Sequence, residues 1–135
     1  MCATYKAFGA VGLITSGAGR DLEQVEALQF PCFTAGTICS HAYCHIVQLN
    51  VPVRVGGVVI RPGDLLHGDR NGVTTIPLEI AAEVADACAE FVAAEQVVLD
   101  YVKSGRVDAD GYARAFRESR ERIEALRRRL SRKRC

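Results

Sequence analysis

Residues 9–21, with the sequence GAVGLITSGAGRD, constrain the fold more than any other part of the chain. Their apolar run at residues 11–15 is bounded by glycines and predicts a short buried strand. The small residues that follow tolerate positive φ and let a ligand approach the backbone closely. Arg20 and Asp21 come next, and the apolar spacing after Asp21 predicts a helix. This order predicts an α/β fold with a candidate ligand site at Arg20 and Asp21, because such folds bind ligands at strand ends.

Arg20 and Asp21 also have a purely structural interpretation. Asp21 and Gln24, three residues apart, match a capping box, in which the two side chains bond the first backbone N–H groups of a helix. The Arg20 guanidinium can equally pair with a neighbouring carboxylate at the surface, where such pairs contribute little stability. The spacing alone therefore leaves both the structural and the functional interpretation open.

The composition is that of one globular domain of ordinary size. The 135 residues are 49% hydrophobic and 24% charged, which is enough apolar surface for one core. No apolar run approaches the roughly 18 residues of a membrane span, and the N-terminus lacks the pattern of a signal peptide. The sequence therefore predicts a cytoplasmic protein. Six cysteines without a secretory signal or a CxxC pair are expected to be free thiols.

Two further segments carry strand signals. Residues 30–34 predict a second short strand with its proline near the start, and residues 51–77 predict four strands joined by three tight turns, which would form a compact β layer. Asp64 and Asp69, in the second and third turns, are candidates for a carboxylate pair in acid–base chemistry. We favour the alternative that each aspartate bonds the backbone of its own turn.

Residues 37–46, TICSHAYCHI, place four soft metal ligands within seven positions. Their spacing matches no standard zinc module, so we favour a loop or short helix over a zinc site. A second alternative is that His41 or His45 faces the Arg20 pocket as a polar contact. The four ligand candidates are Cys39, His41, Cys44 and His45.

The chain becomes helical after Pro77. Apolar residues recur at intervals of three and four up to about Lys103, which predicts one amphipathic helix. Asp108 is positioned to cap a second helix, so the sequence predicts a helical hairpin. The predicted apolar seam of this second helix is Tyr112, Phe116, Ile123, Leu126 and Leu130, with Ser119 filling the gap. We therefore divide the chain into residues 1–79, a β-rich domain, and residues 80–135, a helical hairpin with a basic tail.

The end of the second helix is strongly basic. Residues 112–135 contain ten basic and three acidic residues, including the runs 127–129 and 132–134. Such runs can bind nucleic acid or an acidic surface. Because few aromatic residues lie nearby and no nucleic-acid motif is present, we favour a solvated, frayed helix end over nucleic-acid binding.

Two elements in a fixed order carry a resemblance to a known family. The first, GAVGLITSGAGRDLEQVEALQFPCF, contains GxxRD, and the second, VPVRVGGVVIRPGDLLHGDRNGVTTIP, contains VGGxxxRPGDLxxGDxxGV. The match covers residues 7–82, and SHAY at residues 40–43 resembles one branch. The chain resembles the family that joins the class II 4-hydroxy-4-methyl-2-oxoglutarate (HMG/CHA) aldolases with the regulator of ribonuclease activity A, also called demethylmenaquinone methyltransferase-like.

The resemblance implies a β/β/α fold like that of swivelling phosphohistidine domains, assembled as homotrimers or hexamers with sites between subunits. In the aldolases, the arginine matching Arg20 binds the pyruvoyl part of the substrate and steadies the enolate, and the aspartate matching Asp21 helps to hold Mg²⁺ or Mn²⁺. Gly17 is expected to contact the substrate beside Arg20. Oxaloacetate decarboxylation passes through the same pyruvate enolate, so the resemblance implies both lyase activities on 2-keto acids.

The sequence departs from this family at its front. Residues 2–8 predict the last turns of a helix, whereas family members carry a further N-terminal half. That half supplies a glycine-rich loop for the substrate carboxylate and, in the aldolases, an acidic metal-site residue further upstream of the arginine than this sequence extends. The resemblance therefore implies an N-terminally truncated domain. Its site would be completed by another chain or by residues outside this sequence.

Two classes of function follow from the resemblance. The first is a metal-dependent carbon–carbon lyase that uses Arg20 and Asp21. The alternative is a non-catalytic protein of the regulator type, whose surface binds a partner such as a ribonuclease. Metal-dependent pyruvate release distinguishes them, because a binding module has no such activity.

Overall fold

The computed structural model describes residues 1–131, which divide into two compact units. The first unit, Met1–Ile76, contains two short helices and all eight strands of the described residues, and the second begins at Pro77 and is helical. The predicted α/β class is confirmed. Within residues 1–131, every helix is too short or too polar to cross a bilayer.

The first half of this unit is a βαβ arrangement. β1 pairs in parallel with β3, and β2 pairs in parallel with β4. The strands predicted at residues 11–15 and 30–34 are confirmed but are only two residues long. Pro31 has no N–H, so the β1–β3 ladder cannot extend before Cys32. The elements are α1 (Cys2–Ala7), β1 (Leu13–Ile14), β2 (Ala18–Gly19), α2 (Leu22–Ala27), β3 (Cys32–Phe33) and β4 (Gly36–Thr37).

The second half of the unit consists of two antiparallel hairpins. Gly56 and Gly57, with φ of 55° and 84°, form the predicted two-residue turn of the first hairpin. The predicted compact four-stranded layer is wrong in one respect, because the two hairpins form separate two-stranded ladders. The third turn is also shorter than predicted, since Asp69 pairs with Gly72 as part of the ladder. The strands are β5 (Val53–Val55), β6 (Val58–Ile60), β7 (Leu65–Asp69) and β8 (Gly72–Ile76).

Asp64 and Asp69 bond the backbone of their own turns, as we favoured from the sequence. Asp64 Oδ2 accepts from the backbone N–H of Arg61 at 2.7 Å, and Asp69 Oδ1 accepts from that of Asn71 at 2.7 Å. The backbone and side-chain hydrogen bonds from Asn71 lower the pKa of Asp69. Both carboxylates are therefore explained by turn geometry.

The second unit is the predicted helical hairpin. A short 3₁₀ helix, Leu78–Ile80, leads into α3 (Ala81–Lys103), and α4 (Ala109–Ser131) packs against α3. The seam is built from small residues, which let the two helix backbones approach closely. The buried residues of the seam are Ala87 and Ala94 on α3, and Gly111, Ala115, Ser119 and Leu126 on α4.

The predicted seam of α4 is wrong at its N-terminal half. Tyr112 and Phe116 are 44% and 45% exposed, and their rings stack on each other with centroids 6.1 Å apart. The Arg120 guanidinium lies 5.9 Å from the Phe116 ring centroid. Gly111 and Ala115, one position earlier, face α3 instead. A close helix approach requires small side chains at the contact, so the aromatic residues lie at its margin.

Asp108 caps α4 as predicted. Its Oδ1 accepts a 2.7 Å hydrogen bond from the backbone N–H of Gly111, the third residue of the helix. We expect Asp108→Ala to lower the free energy of unfolding of the hairpin by about 1 kcal/mol, because this N–H loses its partner. Urea unfolding followed by circular dichroism measures the effect. Asp108→Asn, which keeps an acceptor at this position, is the control, and an equal loss in both variants would contradict the capping role.

The basic end of α4 is partly engaged in ion pairs. Arg127 and Arg128 lie 3.6 and 3.3 Å from Glu124, and Arg129 Nη2 lies 2.6 Å from Glu90 Oε1 on α3. The hydrogen bond from Arg129 lowers the pKa of Glu90. Residues 127–131 are helical, so the predicted fraying does not reach them. The second basic run, residues 132–134, lies outside the described residues.

Candidate functional site

Arg20 and Asp21 stand directly after β2, where the chain enters α2. The parallel pairing of β2 with β4 places them beside residues 37–39. Together these segments line an open cavity of about 790 Å³. Its lining residues are Gly19, Arg20, Asp21, Leu22, Thr37, Ile38 and Cys39. The structure therefore brings the two predicted site residues together at one cavity.

Asp21 has an unusual backbone conformation. With φ of 58° and ψ of 38° it is left-handed, a conformation that is uncommon for a residue with a side chain. It is the N-cap residue of α2, yet its side chain makes no capping hydrogen bond, so the predicted capping box with Gln24 is wrong. The backbone N–H of Gln24 bonds the Asp21 carbonyl at 3.0 Å instead. In this conformation the carboxylate is paired with Arg20 rather than with the helix N-terminus.

The Arg20 guanidinium is held by two contacts. Its Nε lies 3.2 Å from Asp21 Oδ2, and its Nη1 donates to the Cys39 carbonyl at 3.4 Å. The Arg20 and Asp21 side chains are 44% and 51% exposed, so their ion pair is worth only about 0–1 kcal/mol. The predicted pairing of Arg20 with a neighbouring carboxylate is confirmed. Because this pair is weak, it does not prevent either group from binding a ligand.

Gly17 lies just before the cavity lining. Its backbone N–H donates to Thr15 Oγ1 at 3.0 Å, and its carbonyl accepts from Ala35. Gly19 is the glycine that lines the cavity, and a Cβ added there would lie 3.0 Å from Thr34 Cγ2. The structure thus brings together Arg20 and Asp21, while the amide of Gly17 is already bonded within the turn.

Sequence reasoning missed residues 37–39 as part of the site. Neither His41 nor His45, which we considered as contacts to the pocket, is among its lining residues. The segment 41–48 is an exposed loop, which agrees with the favoured interpretation. The contribution of Cys39 is its backbone carbonyl, and no side-chain motif marks such a contact. Only the β2–β4 pairing, which is a tertiary feature, reveals it.

The cavity offers little to a metal ion beyond one carboxylate. Within residues 1–131, no three His, Cys, Asp or Glu side chains converge in a way that could hold a cation. Mg²⁺ usually keeps several waters and takes one or two carboxylates together with oxygens of its substrate. The Asp21 carboxylate therefore fits as one hard oxygen ligand, and the other positions would have to come from outside this cavity lining.

The α/β unit that carries this site is also the part of the chain shared with known proteins. The sequence model of the RraA-like family, described as Aldolase/RraA, matches residues 1–75, which is more than half of the chain. The chain belongs to the RraA-like family. This result confirms the family resemblance of the sequence.

Several relatives carry names that mention an aldolase. The chain is 48% identical over 73 residues to a Halalkalibacterium halodurans protein named "Putative 4-hydroxy-4-methyl-2-oxoglutarate aldolase", a match that covers 53% of this chain and 35% of the relative. A protein of the same name from Alcanivorax borkumensis is 36% identical over 70 residues, covering 51% of this chain and 44% of the relative. The chain thus spans between a third and a half of the length of these relatives.

A solved structure extends the similarity to most of the chain. The crystal structure of an uncharacterized protein from Pseudomonas syringae pv. tomato str. DC3000 matches with a TM-score of 0.60 and 26% sequence identity. The match covers 84% of this chain and 56% of that one. A match that covers 84% of the chain includes more residues than the 75 matched by the family model. Part of the helical hairpin is therefore also similar to that structure.

Proposed function

We propose that the Arg20–Asp21 pocket is the site of a divalent-metal-dependent carbon–carbon lyase of the class II pyruvate aldolase type. Its substrates are 2-keto acids, cleaved by aldol cleavage of compounds like 4-hydroxy-4-methyl-2-oxoglutarate or by decarboxylation of oxaloacetate. The observation that carries the proposal is the left-handed Asp21, which aligns a carboxylate with a guanidinium beside an open cavity. Strained residues cluster at functional sites, and the family membership supports the same chemistry.

Arg20 has the catalytic role in this proposal. A guanidinium presents a rigid fork of donors that matches the oxygens of a pyruvoyl group. Carbon–carbon cleavage next to the keto group places negative charge on the keto oxygen as the enolate forms. Arg20, already oriented by Asp21 and by the Cys39 carbonyl, stabilises that charge without having to reorganise. Gly17 is proposed to assist by its lack of a side chain, which lets the substrate approach the same turn closely, since its own amide is bonded to Thr15.

Asp21 has the metal-binding role. We assign it as one ligand of Mg²⁺ or Mn²⁺, because hard divalent cations prefer carboxylate oxygens. When bound, such a cation polarises the keto group as a Lewis acid. The ion pair with Arg20 holds both side chains at the cavity before a ligand arrives, and their partial exposure leaves carboxylate and guanidinium atoms free to bind it.

The proposed assembly follows from the family resemblance, and the proposed location and partners follow from the sequence pattern. We propose a fold of the swivelling phosphohistidine-domain type that assembles as a homotrimer or hexamer in the cytoplasm, with no membrane and no nucleic acid as partner. The cavity is wide open, and seven residues of one chain line it. A neighbouring subunit is proposed to close it and to supply the further ligands that a hard cation needs.

The alternative is a non-catalytic binding protein of the regulator type, with a ribonuclease as its partner. The observation that favours it is the single carboxylate at the pocket, since no cluster of three metal ligands occurs in the described part of the chain. A binding surface requires no metal. Measurements of metal affinity and of turnover therefore separate the two functions.

Binding of Mn²⁺ tests the role of Asp21 directly. We expect calorimetry to show that oxalate, a planar analogue of the pyruvate enolate, tightens the binding of Mn²⁺ to the chain. Asp21→Asn should weaken this binding at least about tenfold, because the carboxylate charge is lost at the same size. Asp86→Asn, the same change at an exposed position of α3, is the matched control. Equal affinity in Asp21→Asn and the unmodified chain would contradict the assignment.

A further inference from the structure

Helix α1 lies against the segment that leads from α2 into β3. The Lys6 ammonium donates a hydrogen bond to the Leu28 carbonyl at 2.5 Å, which fixes one turn of α1 beside the end of α2. Cys2 stands four residues before Lys6, so it shares the same face of the helix, one turn away. Cys32 stands four residues after Leu28. The contact through Lys6 therefore holds the face of α1 that carries Cys2 against the segment that leads into β3.

The strand geometry turns Cys32 to the opposite side from the hairpins. Phe33, the next residue of β3, packs on Gly68 of β7, where an added Cβ would lie 2.6 Å from the Phe33 ring. Successive side chains of a strand point to opposite faces, so Cys32 points away from β7. Cys2 and Cys32 are both half-buried.

The two thiols interact with each other. Burial raises the pKa of Cys32, and the neighbouring Cys2 thiol raises it further through charge repulsion and a hydrogen bond. Among the five cysteines of residues 1–131, the remaining three are exposed. The raised pKa keeps most of Cys32 as a thiol at neutral pH, so its reaction depends on the small thiolate fraction, and the Cys2 thiol lies beside it.

We propose that Cys2 and Cys32 form a redox modification site, a dithiol that a low-molecular-weight disulfide converts into an intramolecular disulfide. With glutathione disulfide as oxidant, one protein thiolate attacks it and releases one glutathione thiolate, leaving a mixed disulfide. The second protein thiolate attacks the mixed disulfide, forms the Cys2–Cys32 bond and releases the second glutathione. The two cysteines lose two electrons and two protons, and glutathione disulfide is reduced to two glutathione thiols.

The bond would join α1 to β3 around the whole of β1, β2 and α2. Arg20 and Asp21 lie within the closed loop, so oxidation would restrain the part of the chain that carries the candidate site. A cross-link stabilises the folded chain mainly by restricting the unfolded chain. The oxidised form is therefore expected to unfold at a higher temperature than the reduced form. The proposal is independent of the lyase function, because it requires only the two thiols.

Peptide mapping after oxidation tests the proposal. The purified chain is incubated with glutathione disulfide at low protein concentration, the remaining thiols are alkylated, and trypsin digestion is followed by mass spectrometry. Trypsin leaves Cys2 on residues 1–6 and Cys32 on residues 21–54, together with Cys39 and Cys44. We expect a cross-linked pair of these peptides that fragmentation assigns to Cys32, that loses two hydrogen masses, and that dithiothreitol reverses.

Four variants make the assignment specific. The double variant Cys39→Ser/Cys44→Ser and the single variant Cys88→Ser should keep the cross-link and the rise in unfolding temperature. Cys32→Ser should lose both, and Cys2→Ser serves the same purpose should Cys32→Ser fail to fold. Glutathione adducts on Cys2 and Cys32 without a cross-link, a bond from Cys2 to Cys39 or Cys44, or cross-links only between chains would each overturn the proposal.

Discussion

Arg20→Ala is expected to lower the rate of metal-dependent pyruvate release from oxaloacetate by about 10²–10³-fold, the usual effect of removing one donor to a developing oxyanion. The guanidinium is aligned by Asp21 and by the Cys39 carbonyl, so it meets the charge of the enolate without reorganising. Its ion pair is exposed and weak, and its loss should leave the fold intact. Steady-state assays coupled to lactate dehydrogenase measure the rate, and thermal unfolding checks the fold.

Two further variants test whether the shape of the Arg20 side chain matters and whether its position matters. Arg20→Lys keeps the positive charge but replaces the planar fork with a point charge, so we expect an intermediate loss of turnover. Arg70→Ala removes an arginine from the turn after β7, outside the cavity lining, and should leave the rate unchanged. Full turnover in folded Arg20→Ala would remove Arg20 from the mechanism, and an unfolded Arg20→Ala would point to a structural role.

Gly111→Ala is expected to lower the free energy of unfolding of the helical hairpin by about 1–3 kcal/mol, the usual cost of overpacking. A Cβ at Gly111 would overlap the Tyr101 ring and hydroxyl. The ring cannot easily move, because the Tyr101 hydroxyl accepts a 3.0 Å hydrogen bond from the Asp108 backbone N–H. In an exposed helix, Gly→Ala raises the free energy of unfolding by about 1 kcal/mol through helix propensity. At Gly111 the packing against Tyr101 is expected to lower it instead. Urea unfolding measures it.

The controls for Gly111→Ala use the same helix pair. Ala113→Gly, at an exposed position of α4, should cost about 1 kcal/mol through propensity alone. In the double variant Tyr101→Leu/Gly111→Ala, the smaller side chain makes room for the new Cβ, so the second change should cost less than it does beside tyrosine. A gain of stability in Gly111→Ala with Tyr101 present would show that the two helices are not packed as described.

Local sequence signals predicted most of the elements, but not the short strands β2 and β4. The turn at Gly56 and Gly57 was readable because two adjacent glycines supply the positive φ values that a two-residue hairpin needs. The end of α3 at Lys103 and the cap at Asp108 were readable because apolar spacing and capping depend on neighbours in sequence. The family motif GxxRD supported Arg20 and Asp21 as a candidate site.

Contacts between distant segments could not be predicted in this way. The cavity wall at residues 37–39 depends on the parallel pairing of β2 with β4, which no local pattern encodes. The left-handed Asp21 was missed because its sequence fits a capping box, and only the backbone conformation excludes it. On α4, the aromatic residues gave the stronger apolar signal, yet the space between close helices admits only residues such as Gly111 and Ala115. Each of these features depends on tertiary structure and not on the local sequence pattern.

Pyruvate release from oxaloacetate by the purified, unmodified chain tests the central claim most directly. The assay is run with Mn²⁺ or Mg²⁺, with the metal alone as blank, and with a chelator in excess. We predict release well above the metal-only blank that the chelator abolishes and that saturates with substrate. Release no faster than the blank, from a chain shown to be folded, would contradict the lyase function and favour the non-catalytic binding role.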